Sequence, residues 1–258
     1  KFQTTQIYDS SNSFTRAVPY PKTPINKVFL IDKLGPTVTS ITSDDSNGTY
    51  GIGQTINIKV IMSEIATVTG TPQLTLLTNT TSSATTVIDY VSGSGSTNLI
   101  FTYTISEGDS TSDLDYSSTS SLALNGGTIV DDFGNQATSS SLTLAAPGSS
   151  GSLSFNKDFN IDGIRATVSS VTSDDNDYVY IVGDVINIKI VFSEIVNVDT
   201  TNGIPTLTLT TGSPSTTPIN YVSGSGSTDL IFQYTVSLGN YSNDFDYSDT
   251  TSLELNNS

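Results

Sequence analysis

Two loops of the sequence hold clustered Asp and Asn residues of the kind that bind calcium. Calcium takes about six to eight oxygen ligands, and a short run of Asp and Asn can supply several of them. The spacing differs from that of an EF-hand loop. The same residues also favour turns in which they cap their own backbone, so both interpretations stay open. The candidate ligands in these loops are Asp44, Asp45 and Asn47 and, in the later loop, Asp174, Asp175 and Asp177.

Other carboxylates stand in a further loop and at two predicted junctions. Asp131 and Asp132 form the further loop, and Asp32 and Asp162 each precede a point where one repeat would pass into the next. Carboxylates at a junction predict a calcium ion that stiffens the linker. Calcium is therefore the only cofactor that the sequence predicts.

A pair of carboxylates recurs beside a tyrosine. Asp113 and Asp115 precede Tyr116, and the same pattern returns at 244–247. Paired carboxylates can hydrolyse glycosidic bonds, but recurrence in both copies favours a structural corner in which each tyrosine bonds back to the backbone. The chain has neither Cys nor His, which excludes most nucleophile–base dyads and thiolate metal sites. We expect no catalytic residue.

Charge and composition limit the partners. The net charge of −16 repels nucleic acid and anionic lipid and attracts divalent cations. No apolar run approaches the roughly 20 residues that span a bilayer, so neither nucleic acid nor a membrane span is expected. N-glycosylation sequons, which matter only if the source organism glycosylates its surface proteins, occur at Asn47, Asn79, Asn240 and Asn256.

Apolar residues alternate with polar ones along the segments that must position these groups. Ile56, Ile58, Val60 and Met62 share one face of a predicted strand, and Leu99, Phe101, Tyr103 and Ile105 share a face of another. Two-residue alternation predicts half-buried β-strands. Seven or eight such strands in each copy indicate antiparallel sandwiches.

The chain contains an internal repeat. Asp45 matches Asp175 and Tyr116 matches Tyr247, which gives a period of about 130 residues, the length of one domain. The recurring pieces include INIKVIMSE (Ile56–Glu64) and YVSGSGS (Tyr90–Ser96). The Gly-Ser-Gly segments of the latter predict turns between strands.

These repeats resemble the immunoglobulin-like tandem repeats of large bacterial and archaeal adhesins and envelope proteins. The resemblance rests on the pieces above, on DLDYSSTSSLALNGGTI (Asp113–Ile129) and on FNKDFNID (Phe155–Asp162). It covers nearly the whole chain. It implies an immunoglobulin-like fold, an extracellular location, no catalysis and frequent calcium binding.

The terminal strands of the repeat are displaced. The second copy stops without the tail that follows Leu124 in the first, whereas Gln6–Phe14 resembles Thr128–Gln136 and Ile25–Asp32 resembles Phe155–Asp162. A sandwich without its last strands exposes an apolar slot and unpaired edges. We therefore expect the N-terminal segment of a neighbouring molecule to fill that slot. Ile25, Phe29 and Ile31 would face the core as their counterparts Phe155, Phe159 and Ile161 do, and Val28 and Leu30 add a second apolar face.

We therefore predict an all-β chain of two tandem immunoglobulin-like antiparallel β-sandwiches, the second completed by a donor strand from a neighbouring subunit. The predicted parts are a donor segment (1–32), a complete domain (33–162) and a domain lacking its last strands (163–258). Head-to-tail donation would form a pilus-like homopolymer at the extracellular cell surface, with a role in adhesion or surface architecture. The alternative is a segment of a tandem-repeat stalk in a large calcium-binding adhesin or S-layer-type protein. The predicted polymerisation interface comprises Ile7, Phe14, Val18, Ile25, Val28, Phe29, Leu30 and Ile31.

Overall fold

The computed structural model describes residues 32–257, and their secondary structure is nearly all β. The donor residues predicted in 1–31 lie outside the described part. Two curled sheets are present, the first in residues 36–162 (the first unit) and the second in residues 166–257 (the second unit). The all-β prediction is confirmed.

The first unit has eleven strands and one four-residue helix. Several of the strands are only two residues long, too short for the two-residue alternation that predicted seven or eight strands to detect them. The elements are β1 (Val38–Ser43), β2 (Gly48–Gly51), β3 (Thr55–Thr69), β4 (Gln73–Asn79), β5 (Ala84–Ser92), β6 (Ser96–Thr104), β7 (Ser110–Thr111), β8 (Asp115–Tyr116), β9 (Leu122–Ala123), β10 (Thr128–Val130), α1 (Leu153–Asn156) and β11 (Phe159–Asp162).

The first sheet curls because β5 changes partner along its length. Its first part pairs with β4, and its last part, from Tyr90, pairs with β6. Strands β1, β3 and β6 therefore form one side and β4, β7, β11 and β2 the other. The alternating apolar residues of β3 and β6 face inward and are buried, as their period of two predicts.

The predicted Gly-Ser-Gly turn joins β5 to β6. Gly93 has a φ of 106°, and a Cβ there would collide with the carbonyl oxygen of Asn98. Only glycine fits this position, and Gly224 repeats it in the second unit with a φ of 110°.

The second unit has a six-stranded sheet with the same curl. Strand β15 pairs with β14 through its first part and with β16 from Tyr221 onward. Its own hydrophobic cluster is built from counterparts of the first, among them Ile190, Leu209 and Phe232. The strands are β12 (Val168–Thr172), β13 (Val185–Val196), β14 (Thr206–Thr210), β15 (Thr216–Ser223), β16 (Ser227–Thr235) and β17 (Leu253–Glu254).

One prediction about the tail of the first repeat is wrong. Phe159 and Ile161 are buried as expected, but Phe155 lies in α1 and is 60% exposed. Ser152 caps this helix by accepting a hydrogen bond from the Phe155 amide, and the helical turn places Leu153 in the core instead. The strict alternation from 155 to 161 therefore fails at its first position.

Candidate functional site: an open groove in the second unit

The last strand of the first unit lies between two short strands. β11 runs parallel to β2, with Asn160 opposite Thr49 and Ile161 opposite Tyr50. On its other side it runs antiparallel to β7. β2 has no other strand partner among the described residues, so its strand character depends on β11.

Segment 128–162 also closes the core of the first unit. Strand β10 pairs with the far end of β3, which extends that strand to Thr69. The Phe159 ring meets Tyr50 edge-on at 5.5 Å between centroids. The buried apolar side chains that this segment contributes are Ile129, Ala137, Leu142, Leu144, Leu153, Phe159 and Ile161.

The described part of the second unit has nothing in these positions. The residues 178–181, which match β2, and 241–242, which match β7, form no strand. Between them lies an open cavity of about 740 Å³. We call this cavity the groove. It is lined by residues 178–180 and 241–242 of the unpaired segments together with Ile188, Leu209 and Phe245 of the core.

A second, smaller cavity lies over the other side of the same core. It measures about 300 Å³ and includes Tyr247 and Leu253 in its wall. In the first unit the matching Tyr116 is 1% exposed, and its hydroxyl donates a 2.6 Å hydrogen bond to the Ala145 carbonyl. Tyr247 is 38% exposed, and segment 128–162, which supplies Ala145, has no counterpart within residues 166–257.

The carboxylate of Asp115 also binds segment 128–162. Its Oδ1 accepts a hydrogen bond from the Tyr116 amide, and its Oδ2 accepts bonds from the Gly148 amide at 3.0 Å and the Ser154 hydroxyl at 2.7 Å. These contacts agree with the structural corner predicted at Tyr116, whereas among the described residues the Tyr247 hydroxyl makes no such bond to the backbone. The acceptor of the Tyr116 hydroxyl lies 29 residues further along the chain, in segment 128–162, which we call the closing segment.

The second unit also exposes apolar residues at the rim of the groove. Val179 is 84% exposed, Ile181 67% and Tyr241 71%. The matching residues of the first unit are Thr49, Gly51 and Ser110. Periodicity alone does not reveal these three positions, whereas a residue-by-residue comparison of the two repeats does. We call Val179, Ile181 and Tyr241 the rim surface.

The acidic loops are held by partners within the protein. The Lys59 ammonium binds both carboxylate oxygens of Asp44, the nearer at 2.6 Å, and Lys189 binds Asp174 in the same way. Asp45 Oδ2 accepts a hydrogen bond from the Asn57 amide at 2.6 Å. Asp175 repeats this contact with the Asn187 amide, so in both loops the carboxylates are bonded to the long strand that follows. Calcium binding in these loops stays a prediction.

One group of carboxylates does come together. Oxygens of Asp32, Glu64 and Asp131 lie within 4.8 Å of one another, a grouping that could hold a metal ion. Burial raises the pKa of Glu64, and the neighbouring Asp residues raise it further. Burial alone would also raise the pKa of Asp131, but hydrogen bonds from Asn135 and from the Phe133 amide lower it. Asp132 and Asp162 are not members of this group.

The counterpart of Glu64 in the second unit has no hydrogen-bond partner for one of its oxygens in the described part of the chain. Glu194, which matches Glu64, has a buried Oε1 atom without a hydrogen-bond partner among the described atoms. Its equivalent in the first unit lies beside Asp131, within the closing segment. Glu194 Oε1 is therefore left without a hydrogen bond within residues 32–257.

The four sequon asparagines differ in their freedom to carry a glycan. Asn79 and Asn240 are half-buried, and each donates its side-chain amide to a backbone carbonyl, at 2.7 Å and 3.2 Å. Asn256 is exposed but donates in the same way to Ile204. Asn47 is exposed and accepts a bond from Asp158, so its amide nitrogen is the most accessible of the four.

Within residues 32–257 no helix has the length and apolar character needed to cross a membrane. No protein-family model matches the chain, and no curated protein matches it.

Proposed function

We propose that the chain is a non-enzymatic structural subunit of an extracellular, pilus-like filament with a role in adhesion or surface architecture. In this proposal both units are immunoglobulin-like sandwiches, and the N-terminal segment of one copy fills the groove of another. The observation that carries it is the groove itself, whose counterpart in the first unit is occupied by β11.

The match between the occupied and the open groove gives the register of the donor. Ile25–Asp32 aligns with Phe155–Asp162, so Phe29 takes the place of the fully buried Phe159. Tyr180 stands where Tyr50 meets Phe159 and would meet Phe29 in the same way. Burial of such a ring supplies about 1.5–3 kcal/mol, and the strand pairs the backbone groups of both unpaired segments.

The positions of the two ends of the first unit favour donation between copies. Asp32, where the donor segment joins the unit, lies beside Glu64 near the end of the inward-facing run of β3. Asp162, where the second unit begins, pairs with Ser110 and lies near Gln54, just before β3 starts. These points are separated by most of a strand, about 30 Å at 3.3 Å per residue. The donor segment therefore joins the first unit at the end away from the second.

The two junctions share one contact but differ at the residue that follows the Asp. Asp32 Oδ1 accepts a 3.0 Å bond from the Leu34 amide, and Asp162 Oδ1 accepts one from Ile164. Gly163, however, has no space for a Cβ, which would strike the carbonyl oxygens of Ser106 and Asp109, and Lys33 stands at the matching position. After Asp32 the donor must therefore leave the groove along a different path.

A cysteine cross-link between two chains tests the proposal. The natural chain has no Cys, so one chain with Leu30→Cys mixed with another carrying Val179→Cys has a single possible heterologous disulfide. Paired strands place such Cα atoms about 5 Å apart, within the range of a disulfide. We expect a cross-linked heterodimer under mild oxidation. The matched control replaces Val179→Cys by Thr49→Cys, whose groove is occupied by β11.

Electron microscopy supplies the second part of this test. Full chains should form fibres, and a variant lacking residues 1–31 should not. Fibres from the truncated chain, or the absence of the heterodimer under conditions where full chains assemble, would refute donation between copies. A cross-link found only when both cysteines are in one chain would indicate closure within a single molecule.

A further inference from the structure

We infer that the rim surface of Val179, Ile181 and Tyr241 selects the donor strand, because it fits the apolar outer residue Leu30 of a second copy and disfavours the polar outer residue of the internal strand. This inference rests on the proposed function and adds to it the basis of specificity. The groove interior cannot supply this choice, since Phe29 and Ile31 are identical in type to Phe159 and Ile161.

The outer face of the occupied groove is polar. Asn160 lies opposite Thr49 in the register of β11 and β2, and its side-chain amide donates a 3.0 Å hydrogen bond to the Thr49 hydroxyl. Both side chains are exposed. This pair fixes the internal strand from the solvent side without apolar contact.

The open groove and the terminal segment differ from that pair at both positions. Leu30 stands in place of Asn160, and Val179 stands in place of Thr49. The same register puts Leu30 directly beside Val179, so a hydrogen-bonded pair is exchanged for an apolar one. Both positions must change for the contact to be apolar throughout. Either change alone would leave a polar side chain beside an apolar one.

Two neighbours extend the apolar contact. Ile181 and Tyr241 flank the donor on either side, two residues beyond the position of Leu30. The first unit has Gly51 and Ser110 at these places. Diagonal neighbours of this kind are within reach of long and aromatic side chains. In this register Asp32 would lie between them, with its Oδ1 accepting a hydrogen bond from the Leu34 amide.

The internal strand is a worse occupant of the same groove. If it entered the second unit, Asn160 would lie beside Val179 and lose its hydrogen bond to a threonine hydroxyl. An unsatisfied polar group beside an apolar surface disfavours the wrong partner. The rim surface thus opposes exchange of internal strands between copies, an error to which tandem repeats are prone.

A mutant cycle on the full chain tests the inference, with the critical concentration for filament assembly as the readout. Leu30→Asn should raise it about tenfold and Val179→Thr by a smaller factor, from loss of apolar contact. The double variant recreates the Asn–Thr pair of the first unit, so its critical concentration should be lower than the product of the two single effects predicts. Val222→Thr, at another exposed valine on β15, is the control and should change nothing.

The outcomes separate this inference from the proposed function. Phe29→Ala removes the ring that fills the groove and should prevent assembly whatever occupies the rim. If Phe29→Ala prevents assembly but the Leu30 and Val179 variants act as the control does, or their effects simply multiply, the rim surface does not select the donor. If Phe29→Ala leaves assembly unchanged, the proposed strand donation itself is wrong.

Discussion

Replacing Phe159 by Ala should strongly destabilise the first unit and leave the second unaffected. The ring is fully buried and packs edge-on against Tyr50. Truncation of a buried Phe to Ala costs about 3–5 kcal/mol. For a unit of this size the loss corresponds to a fall in melting temperature of about 10–20 °C. The strand that carries the ring also gives β2 its only strand partner among the described residues, so the upper part of the range is expected.

Thermal unfolding of the full chain, followed by calorimetry at low protein concentration, measures this effect. Two transitions are expected, and the higher one belongs to the first unit, whose core is closed. Phe155→Ala is the matched control, since Phe155 belongs to the same segment but is largely exposed and should cost less than 1 kcal/mol. Equal losses from the two variants, or a shift of the lower transition by Phe159→Ala, would refute the assignment of Phe159 to the closing strand.

Three further predictions use the same unfolding measurement. Tyr116→Phe should lower the stability of the first unit by about 1 kcal/mol through loss of a buried hydrogen bond, whereas Tyr247→Phe should have no effect on unassembled chains; equal effects would contradict the open state of the second unit. Asp115→Ala should cost about 2–3 kcal/mol, because its carboxylate accepts hydrogen bonds from the closing segment, and a loss below 0.5 kcal/mol would show that these bonds do not hold it. Because the pKa of Glu64 is raised above its ordinary 4.5, its contribution to stability is present below that pH and is lost as the pH rises through the raised value. With a chelator present, Glu64→Gln should therefore be at least as stable as the natural chain at pH 7 and equal to it near pH 4; a Gln variant that is less stable at pH 7 would contradict the repulsion.

The strands of the core could be predicted because their signal is local. Val60 and Phe101 stand in alternating runs on strands buried on one face, and such runs report their inward side directly. The short strands β2 and β7 carry no such signal. Among the described residues β2 pairs only with β11, and β7 pairs with β11 and at one residue with β4. This pairing is a property of distant parts of the chain, and the matching residues 178–181 form no strand.

The candidate site was predicted in outline for a similar reason. The repeat shows which strands of the first unit have no counterpart within residues 166–257, and the structure has a groove at that place. The one acidic group of the described residues that could hold a metal ion was foreseen in part. Asp32 and Asp131 are among the predicted ligands, but nothing local shows that they meet Glu64, since the three come from separate segments. Asp44 and Asp45 contact Lys59 and a backbone amide instead and are not members of that group. A sequence pattern reports neighbours along the chain, and ligand sets of this kind are formed across it.

The differences between the two units say more about assembly than their similarities. If the second unit were simply a repeat whose partner strand resembled β11, selection for solubility would keep Thr, Gly and Ser at its rim, because exposed apolar residues promote unspecific association. Val179, Ile181 and Tyr241 instead carry that risk in every unassembled copy. The risk is offset only if the surface is covered in the functional state, and the segment of the chain with the matching apolar change is the one that contains Val28 and Leu30. Under the proposed function, the rim surface and the terminal segment are two halves of one contact between copies.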